Sequence, residues 1–254
     1  MTKHLFVIAG YSGHKKHLFD TYISPKNKIY CDRHGVNYLE LKENIPMLRG
    51  NYTWSKFYTI KKYLEDGRFQ PGDVVINFDA DMVVVKPDLM YPHDKSFNYA
   101  IDNGNTHCMG NFAVRLDEWG INLIDNILSE ERFQKLQHHR SINPSANGGH
   151  HGFWGDFREQ ASWYSCAGIK RHSWVPFFDL PDYGWHSEKD EYTLYTIPEL
   201  YEHVQVLGPE WDTTILPGEG DQTYNITKSK KEDTRIRHYA GGTAWFEEYL
   251  TREF

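Results

Sequence analysis

The sequence predicts an α/β fold with a mostly parallel central sheet flanked by helices. Strand-like and helix-like segments alternate through the first half of the chain, a pattern typical of parallel sheets. The segment from Asp73 to Phe78 is apolar enough to form a strand that is buried on both faces. The chain has 254 residues, a length suited to one sizeable domain, and we see no convincing linker within it.

The first half contains two further predicted strands and one helix. Residues 4–9 form an apolar, β-branched run that ends in the turn-like segment Gly10–Gly13. Residues 36–41 alternate in polarity, as a half-buried strand does. Aromatic and apolar side chains from Trp54 to Leu64 recur on one helical face, and Thr53 is placed to cap that helix.

The second half is less regular, but several elements are still predicted. We expect strands at 111–116 and 235–239, an amphipathic helix at 117–128, a loop at 137–155 and a helix at 156–166. Residues 216–233 are polar and contain glycines, which predicts a mobile loop that closes over a ligand.

Composition excludes several classes of protein. Hydrophobic residues make up 39% and charged residues 25%, as in globular proteins. The net charge of -7 argues against general nucleic-acid binding. No apolar run reaches the roughly 18 residues that a membrane span needs, and no signal peptide is apparent, so we expect a cytoplasmic protein. The three cysteines are too scattered for a disulfide framework or a zinc site.

The strongest local signal is Asp79-Ala-Asp81, which follows the predicted strand ending at Phe78. Ligands of α/β sheets gather at the carboxyl ends of strands, and carboxylates are the oxygen ligands that Mg²⁺ and Mn²⁺ prefer. The pair therefore predicts a divalent cation beside a nucleotide diphosphate. A solvated turn would explain the same residues. Phosphatases of the haloacid-dehalogenase type also use Asp-x-Asp, but on their first strand and before Gly-Thr, whereas Met82-Val83 follows here.

Two other segments hold candidate site residues. His238 precedes Gly241 and Gly242, and an imidazole completes manganese sites that are otherwise made of oxygens. A lone histidine is more often a surface or packing residue than a ligand, and the pairing with the Asp-Ala-Asp segment is what favours a metal role for His238. Glu159 lies three residues after Asp156, a spacing typical of a helix cap, which leaves the adjacent Gln160 unexplained.

Together these residues resemble GT-A glycosyltransferases, in particular glycosyltransferase family thirty-four, which contains plant xyloglucan xylosyltransferases and yeast galactosyl- and mannosyltransferases. The resemblance covers roughly residues 4–242, and six motifs in order are hard to obtain by chance. The matching segments are Asn27-Lys28 to Tyr30 with His34-Gly35, Trp54-Ser-Lys56, Asp79-Ala-Asp81, Gly110-Asn-Phe112-Ala-Val-Arg115 with Trp119, Glu159-Gln160, and His238-Tyr-Ala-Gly241. The sequence departs from the family at Cys108, where asparagine is usual, and at Glu159, where aspartate is usual.

The resemblance implies a single Rossmann-like GT-A domain over residues 1–254, with a nucleotide-sugar-binding half at 1–90 and an acceptor-side half at 91–254. It implies retaining transfer of a sugar from a nucleotide-diphosphate sugar, with uridine favoured, to a hydroxyl of a glycan or glycoconjugate acceptor. Asp79, Asp81 and His238 would hold Mn²⁺ or Mg²⁺, and Glu159 and Gln160 would act at the reacting centre. The donor-binding residues implied are Gly10, Tyr11, Ser12, Lys56, Asp79, Ala80, Arg115 and Gly241.

Alternatives stay open at this point. Lys56 would contact the phosphates, although an exposed lysine on the helix surface explains it nearly as well. Because Cys108 stands where asparagine is usual, the protein could bind a nucleotide sugar without turning it over. A phosphatase of the haloacid-dehalogenase type is the third hypothesis.

Overall fold

A computed structural model describes residues 5–10, 16–41, 48–49, 52–102, 107–134, 159–167, 199–215, 232–239, 247–248 and 250. The strands are β1 (Leu5–Gly10), β2 (Asn37–Leu41), β3 (Val74–Asp79), β4 (Met82–Val84), β5 (Phe97–Ile101), β6 (His107–Arg115), β7 (Val204–Leu207), β8 (Thr213–Thr214) and β9 (Ile236–His238). The helices are α1 (Lys16–Leu18), which a π-helical turn joins to α2 (Ser24–His34), then α3 (Ser55–Glu65), α4 (Glu118–Ile127), α5 (Glu159–Ala167) and α6 (Leu200–His203). No helix among these residues is long and apolar enough to cross a membrane.

Six strands form the central sheet in the order β2-β1-β3-β6-β5-β7. Strands β2, β1, β3, β5 and β7 run in one direction, while β6 is antiparallel to both of its neighbours. This arrangement confirms the predicted α/β fold with a mostly parallel sheet. Residues 74–78 of β3 are buried, as their continuous apolar pattern predicts.

Aromatic packing on the two faces of the sheet fixes the helices around it. On one face, Phe57 of α3 stacks on Phe112 of β6, with ring centroids 4.8 Å apart. On the other face, Tyr30 of α2 meets the edge of Phe78 of β3 at 5.9 Å. All four rings are almost completely buried, and each contributes about 1.5–3 kcal/mol by leaving water. Helix α3 is thereby held beside the carboxyl end of β3.

A second, three-stranded sheet brings the end of the chain to the same place. Its strand order is β4-β9-β8, and His238 of β9 pairs with Met82 of β4. The amide of Tyr239 donates a hydrogen bond of 2.8 Å to the carbonyl of Asp81. The backbone of residues 238–239 therefore lies directly beside the turn that carries Asp79 and Asp81.

Several sequence-based expectations differ from the structure. The residue at the N-cap of α3 is Trp54, because a 3-10 turn over Tyr52–Trp54 precedes the helix, so the prediction of Thr53 as its cap is wrong. Strands β5 and β7 were not predicted. Asp117 caps α4 by accepting a hydrogen bond from the amide of Gly120, in agreement with the expected helix start.

The expected domain halves share one sheet. The three strands before residue 90 form one side of the sheet and the three after it form the other, and the two sides meet where β3 pairs with β6. The functional division at residue 90 stays a prediction. The expected loop at 137–155 lies outside the described residues, as does the loop at 216–233 except for its last two residues.

Candidate functional site

The carboxyl end of β3 carries the centre of the candidate site. Asp79 is the last residue of β3 and is in register with Gly10, the last residue of β1. Ala80 lies in the turn that leads to Asp81 and β4, and its side chain is partly buried. The side chains of Asp79 and Asp81 keep 32% and 19% of their surface exposed, so both carboxylates remain within reach of a ligand.

Lys56 is buried between two carboxylates and does not lie on the helix surface. Its Nζ donates to both oxygens of Asp79 at 2.8 Å and to the carbonyl of Met109 at 2.7 Å. It also pairs with Oε1 of Glu159 at 3.0 Å. Burial alone would lower the pKa of Lys56, but the carboxylates of Asp79 and Glu159 outweigh it and raise that pKa, so the ammonium stays charged. Lys56 therefore holds the two carboxylates together, and its predicted phosphate contact stays a prediction.

Glu159 and Gln160 open helix α5 on the other side of Lys56. The side chain of Glu159 is only 4% exposed, and its Oε2 is buried with no hydrogen-bond partner among the described residues. Oε1 of Gln160 accepts from the amide of Met109 at 3.4 Å. The pair thus lies beside the first carboxylate of the Asp-Ala-Asp segment. Asp156, the proposed capping partner of Glu159, lies outside the described residues.

Strand β6 approaches the site closely at Gly110. A Cβ atom added to Gly110 would lie 2.4 Å from Cε of Met82 and 3.4 Å from Oδ2 of Asp79. The side-chain amide of Asn77 donates to the carbonyl of Gly110 at 2.9 Å and to Oδ1 of Asp79 at 3.0 Å. These contacts fix the Asp79 carboxylate against β6.

His238 meets the Asp-Ala-Asp segment from β9. Its Nε2 lies 3.7 Å from Oδ1 of Asp81, and its Nδ1 lies 3.0 Å from Oδ1 of Asp212. Burial would lower the pKa of His238, but the carboxylates of Asp212, Asp81 and Asp79 outweigh it and raise that pKa to about 9. The structure thus brings together Asp79, Asp81 and His238, the three residues predicted to hold a metal.

The side chains of Asp79, Asp81 and His238 are of the types that Mn²⁺ and Mg²⁺ accept, although in the described part of the chain their ligand atoms do not all lie within 4.8 Å of one another. Two carboxylates and one imidazole are ligand types that these ions accept. Two ligands that each lie about 2.1 Å from one ion are at most about 4.2 Å apart. The 3.7 Å between Oδ1 of Asp81 and Nε2 of His238 falls inside that span.

Sequence reasoning missed Asp212, which lies behind His238. It follows a 3-10 turn at Pro209–Trp211, and no motif marks it in the sequence. Cys108 also lies there, with Sγ 4.0 Å from Nδ1 of His238. Burial, reinforced by the Asp212 carboxylate, raises the pKa of the Cys108 thiol well above its usual value. Cys108 therefore packs against the back of the imidazole as a neutral thiol.

One predicted donor-binding residue lies elsewhere. Arg115 pairs with Val74 at the amino end of β3, because β6 is antiparallel to β3. Its guanidinium donates to the carbonyl of His93 at 2.8 Å. The prediction that Arg115 faces the donor sugar is therefore wrong. Tyr11, Ser12 and Gly241 lie outside the described residues.

The fold is similar to that of known glycosyltransferases. A glycosyltransferase involved in the glycosylation of the major capsid of PBCV-1 matches with a TM-score of 0.55 and 12% identity, over 98% of this chain and 99% of that chain. The bifunctional glycosyltransferase WbbM matches with a TM-score of 0.50 and 10% identity, over 98% of this chain and 50% of that chain. No family profile and no curated protein matches the sequence. The chain has a GT-A glycosyltransferase fold.

Proposed function

We propose that the protein is a metal-dependent, retaining glycosyltransferase that moves a sugar from a nucleotide-diphosphate sugar, with UDP favoured, to a hydroxyl of a glycan or glycoconjugate. One observation carries the proposal: Asp81, in the turn after β3, and His238 of β9 converge beside a buried carboxylate at the carboxyl edge of a GT-A sheet. That edge is where ligands of α/β folds bind. The resemblance to glycosyltransferase family thirty-four and a cytoplasmic location are part of this proposal.

Asp79, Asp81 and His238 would hold Mn²⁺ or Mg²⁺, which would act as a Lewis acid toward the leaving diphosphate. Asp79 already shares its two oxygens with Lys56 and Asn77. Oδ1 of Asp81 lies 3.7 Å from Nε2 of His238. We infer that the contacts to Lys56 and Asn77 orient the Asp79 carboxylate within this set.

Glu159 and Gln160 would act at the donor sugar. A retaining transfer needs no carboxylate base for the acceptor, and it uses either a transient nucleophile or same-face proton uptake by the leaving phosphate. Lys56 holds Oε1 of Glu159, so Oε2 is the oxygen that would face positive charge developing on the sugar. Gly10, Tyr11, Ser12, Ala80 and Gly241 would line the nucleotide and sugar.

The Glu159→Gln variant tests this role, because glutamine keeps the size of the side chain and removes its charge. A group that acts in the chemical step should change the rate by a factor on the order of 10² or more. Full activity in the variant would leave Glu159 a structural role only. An inverted anomeric configuration in the product, read by NMR, would contradict the retaining mechanism.

A screen of nucleotide sugars with Mn²⁺ tests the activity itself. We expect release of a nucleoside diphosphate, faster with a suitable glycan, and dependent on Asp81 and His238. Binding of nucleotide sugar without release of diphosphate under any condition would identify a protein that has lost turnover. Release of inorganic phosphate from simple phosphoesters, independent of His238, would identify a phosphatase.

A further inference from the structure

Asp212 is the most deeply buried carboxylate next to the candidate metal site. It is completely inaccessible to solvent, and its Oδ1 lies 3.0 Å from Nδ1 of His238. The proposed function does not use it, and a buried carboxylate is costly unless it has a specific partner. His238 is such a partner for Asp212.

The backbone around Asp212 is held rigidly. The ring of Trp211 packs against the ring of Tyr91, with centroids 5.3 Å apart. The guanidinium of Arg235 lies over the Trp211 ring, 4.6 Å from its centroid. The side-chain amide of Asn111 donates to the carbonyl of Trp211 at 2.7 Å. Asp212 is thus delivered to one fixed position, as a residue that orients another side chain must be.

The two nitrogens of His238 face different groups. Nδ1 faces the Asp212 carboxylate at 3.0 Å, whereas Nε2 faces Oδ1 of Asp81 at 3.7 Å. An ionised carboxylate only accepts hydrogen bonds, so Nδ1 must carry the hydrogen in this pair. A metal would then displace the proton of Nε2, the nitrogen that lies 3.7 Å from Oδ1 of Asp81.

We propose that Asp212 is a positioning residue that fixes the orientation of the His238 ring and reserves Nε2 for the metal. The proposal rests on the metal dependence proposed above. Carboxylates that accept from the second nitrogen of a histidine ligand orient the ring and strengthen the ligand, and their loss typically lowers metal affinity by about 10–100-fold.

A competing arrangement would place a metal on the other side of the ring. Sγ of Cys108, a carboxylate oxygen of Asp212 and a ring nitrogen of His238 all lie within 4.8 Å of one another. That arrangement would need Nδ1 without its hydrogen and would break the contact with Asp212. Cys108 is 6% exposed and Asp212 is fully buried, so an ion would reach them only through the packed interior. The two arrangements predict opposite roles for Cys108, and this makes them separable.

Main-chain hydrogen bonds hold the backbone of His238. It pairs with Met82 in β4, and its carbonyl accepts from the amide of Ile215 at 2.8 Å. Changing Asp212 should therefore free the imidazole ring to rotate while β9 stays in place.

The test measures Mn²⁺ binding without any nucleotide or acceptor, by the loss of the free-ion EPR signal. The variants are Asp212→Ala, Asp212→Asn and His238→Ala, and Cys108→Ala is the matched control because Cys108 touches the same nitrogen. We expect about 10–100-fold weaker binding for Asp212→Ala and a smaller loss for Asp212→Asn, which keeps an acceptor oxygen and the side-chain volume. Cys108→Ala should bind as the unchanged protein does, within about twofold.

Pulsed EPR with ¹⁵N-labelled histidine supplies a second readout, and circular dichroism checks that each variant is folded. The nitrogen coupling to Mn²⁺ should be present in the unchanged protein and in Cys108→Ala, and should weaken in Asp212→Ala. If both Asp212 variants had the same Mn²⁺ affinity and the same nitrogen coupling as the unchanged protein, the positioning role would be overturned and the proposed metal dependence would stand. If Cys108→Ala lost as much Mn²⁺ affinity as Asp212→Ala, the metal would lie on the Nδ1 side of the ring, and the positioning role would again be overturned. Absence of Mn²⁺ binding to the unchanged protein would instead overturn the proposed metal dependence, and the positioning role with it.

Discussion

The buried ammonium of Lys56 joins two carboxylates of the candidate site. Its Nζ lies within 3.0 Å of oxygens of Asp79, Met109 and Glu159, and its side chain is 6% exposed. The Lys56→Met variant keeps the length of the side chain and removes the charge. Asp79 and Glu159 would then face each other without the cation that neutralises them.

The expected loss is large because only one partner of a buried ion pair is removed. Breaking such a pair typically costs about 3–5 kcal/mol, since it leaves an uncompensated buried charge. In a chain of this size, 1 kcal/mol lowers the melting temperature by about 2–4 °C, so we expect a decrease of about 10 °C. Adding Glu159→Gln to Lys56→Met should recover about 1–3 kcal/mol, because the second change removes one of the stranded charges.

Lys61→Met is the matched control for this measurement. Lys61 lies on the same helix and pairs with Asp125, but both side chains are more than 40% exposed. An exposed pair contributes about 0–1 kcal/mol, so this variant should melt within about 3 °C of the unchanged protein. Thermal and urea unfolding, followed by circular dichroism, give both values. Equal losses in Lys56→Met and Lys61→Met would refute the reasoning.

Three further predictions concern other parts of the fold. Burial lowers the pKa of His107 to about 4, against about 6.5 in the unfolded chain. The stability that comes from keeping the ring neutral is therefore fully present above pH 6.5. Up to about 3 kcal/mol of the free energy of unfolding is lost as the pH falls toward 4. Urea unfolding at several pH values should show this slope, and His107→Gln should flatten it. Arg115→Gln should leave Mn²⁺-dependent nucleotide affinity, measured by calorimetry, within about twofold, because Arg115 lies at the opposite end of β3 from Asp79; a tenfold loss would restore it to the donor site. Gly120→Ala should destabilise the fold by about 1–3 kcal/mol in urea unfolding, because the added Cβ would lie 1.9 Å from the carbonyl oxygen of Arg115, and an unchanged midpoint would contradict that contact.

Local patterns in the sequence were enough to place the centre of the site. The apolar run ending at Phe78 predicts a buried strand, and the Asp79-Ala-Asp81 segment then falls at its carboxyl end, as the structure shows. The motif at His238 predicts a second contribution to the same edge, and β9 delivers it there. These predictions depend only on strand ends and on short motifs.

Strand direction is the property that local patterns could not supply. In a parallel strand, Arg115 at the end of β6 would lie at the same edge of the sheet as Asp79. The structure makes β6 antiparallel, so its beginning, with Cys108 and Gly110, lies at the site, and its end lies far from it. A hydrophobic pattern is the same for both directions, so the sequence does not distinguish them.

Long-range pairing is the other property that the sequence left open. In the sequence, nothing distinguishes Lys56 from other lysines of a helix. Only the packing of α3 against β3 and α5 places it between two carboxylates. Asp212 lies in an irregular segment without periodicity, so nothing local marks it as the partner of His238. Both residues acquire their roles from tertiary contacts alone.

Calorimetry of UDP binding with and without Mn²⁺ tests the central claim most directly. The account predicts that the unchanged protein binds UDP tightly only when Mn²⁺ is present, and that Asp81→Asn lowers this affinity at least tenfold. Asp125→Asn, which changes an exposed carboxylate of α4, should leave the affinity unchanged. The same Mn²⁺-dependent affinity in Asp81→Asn as in the unchanged protein would contradict a nucleotide-sugar site at this edge of the sheet.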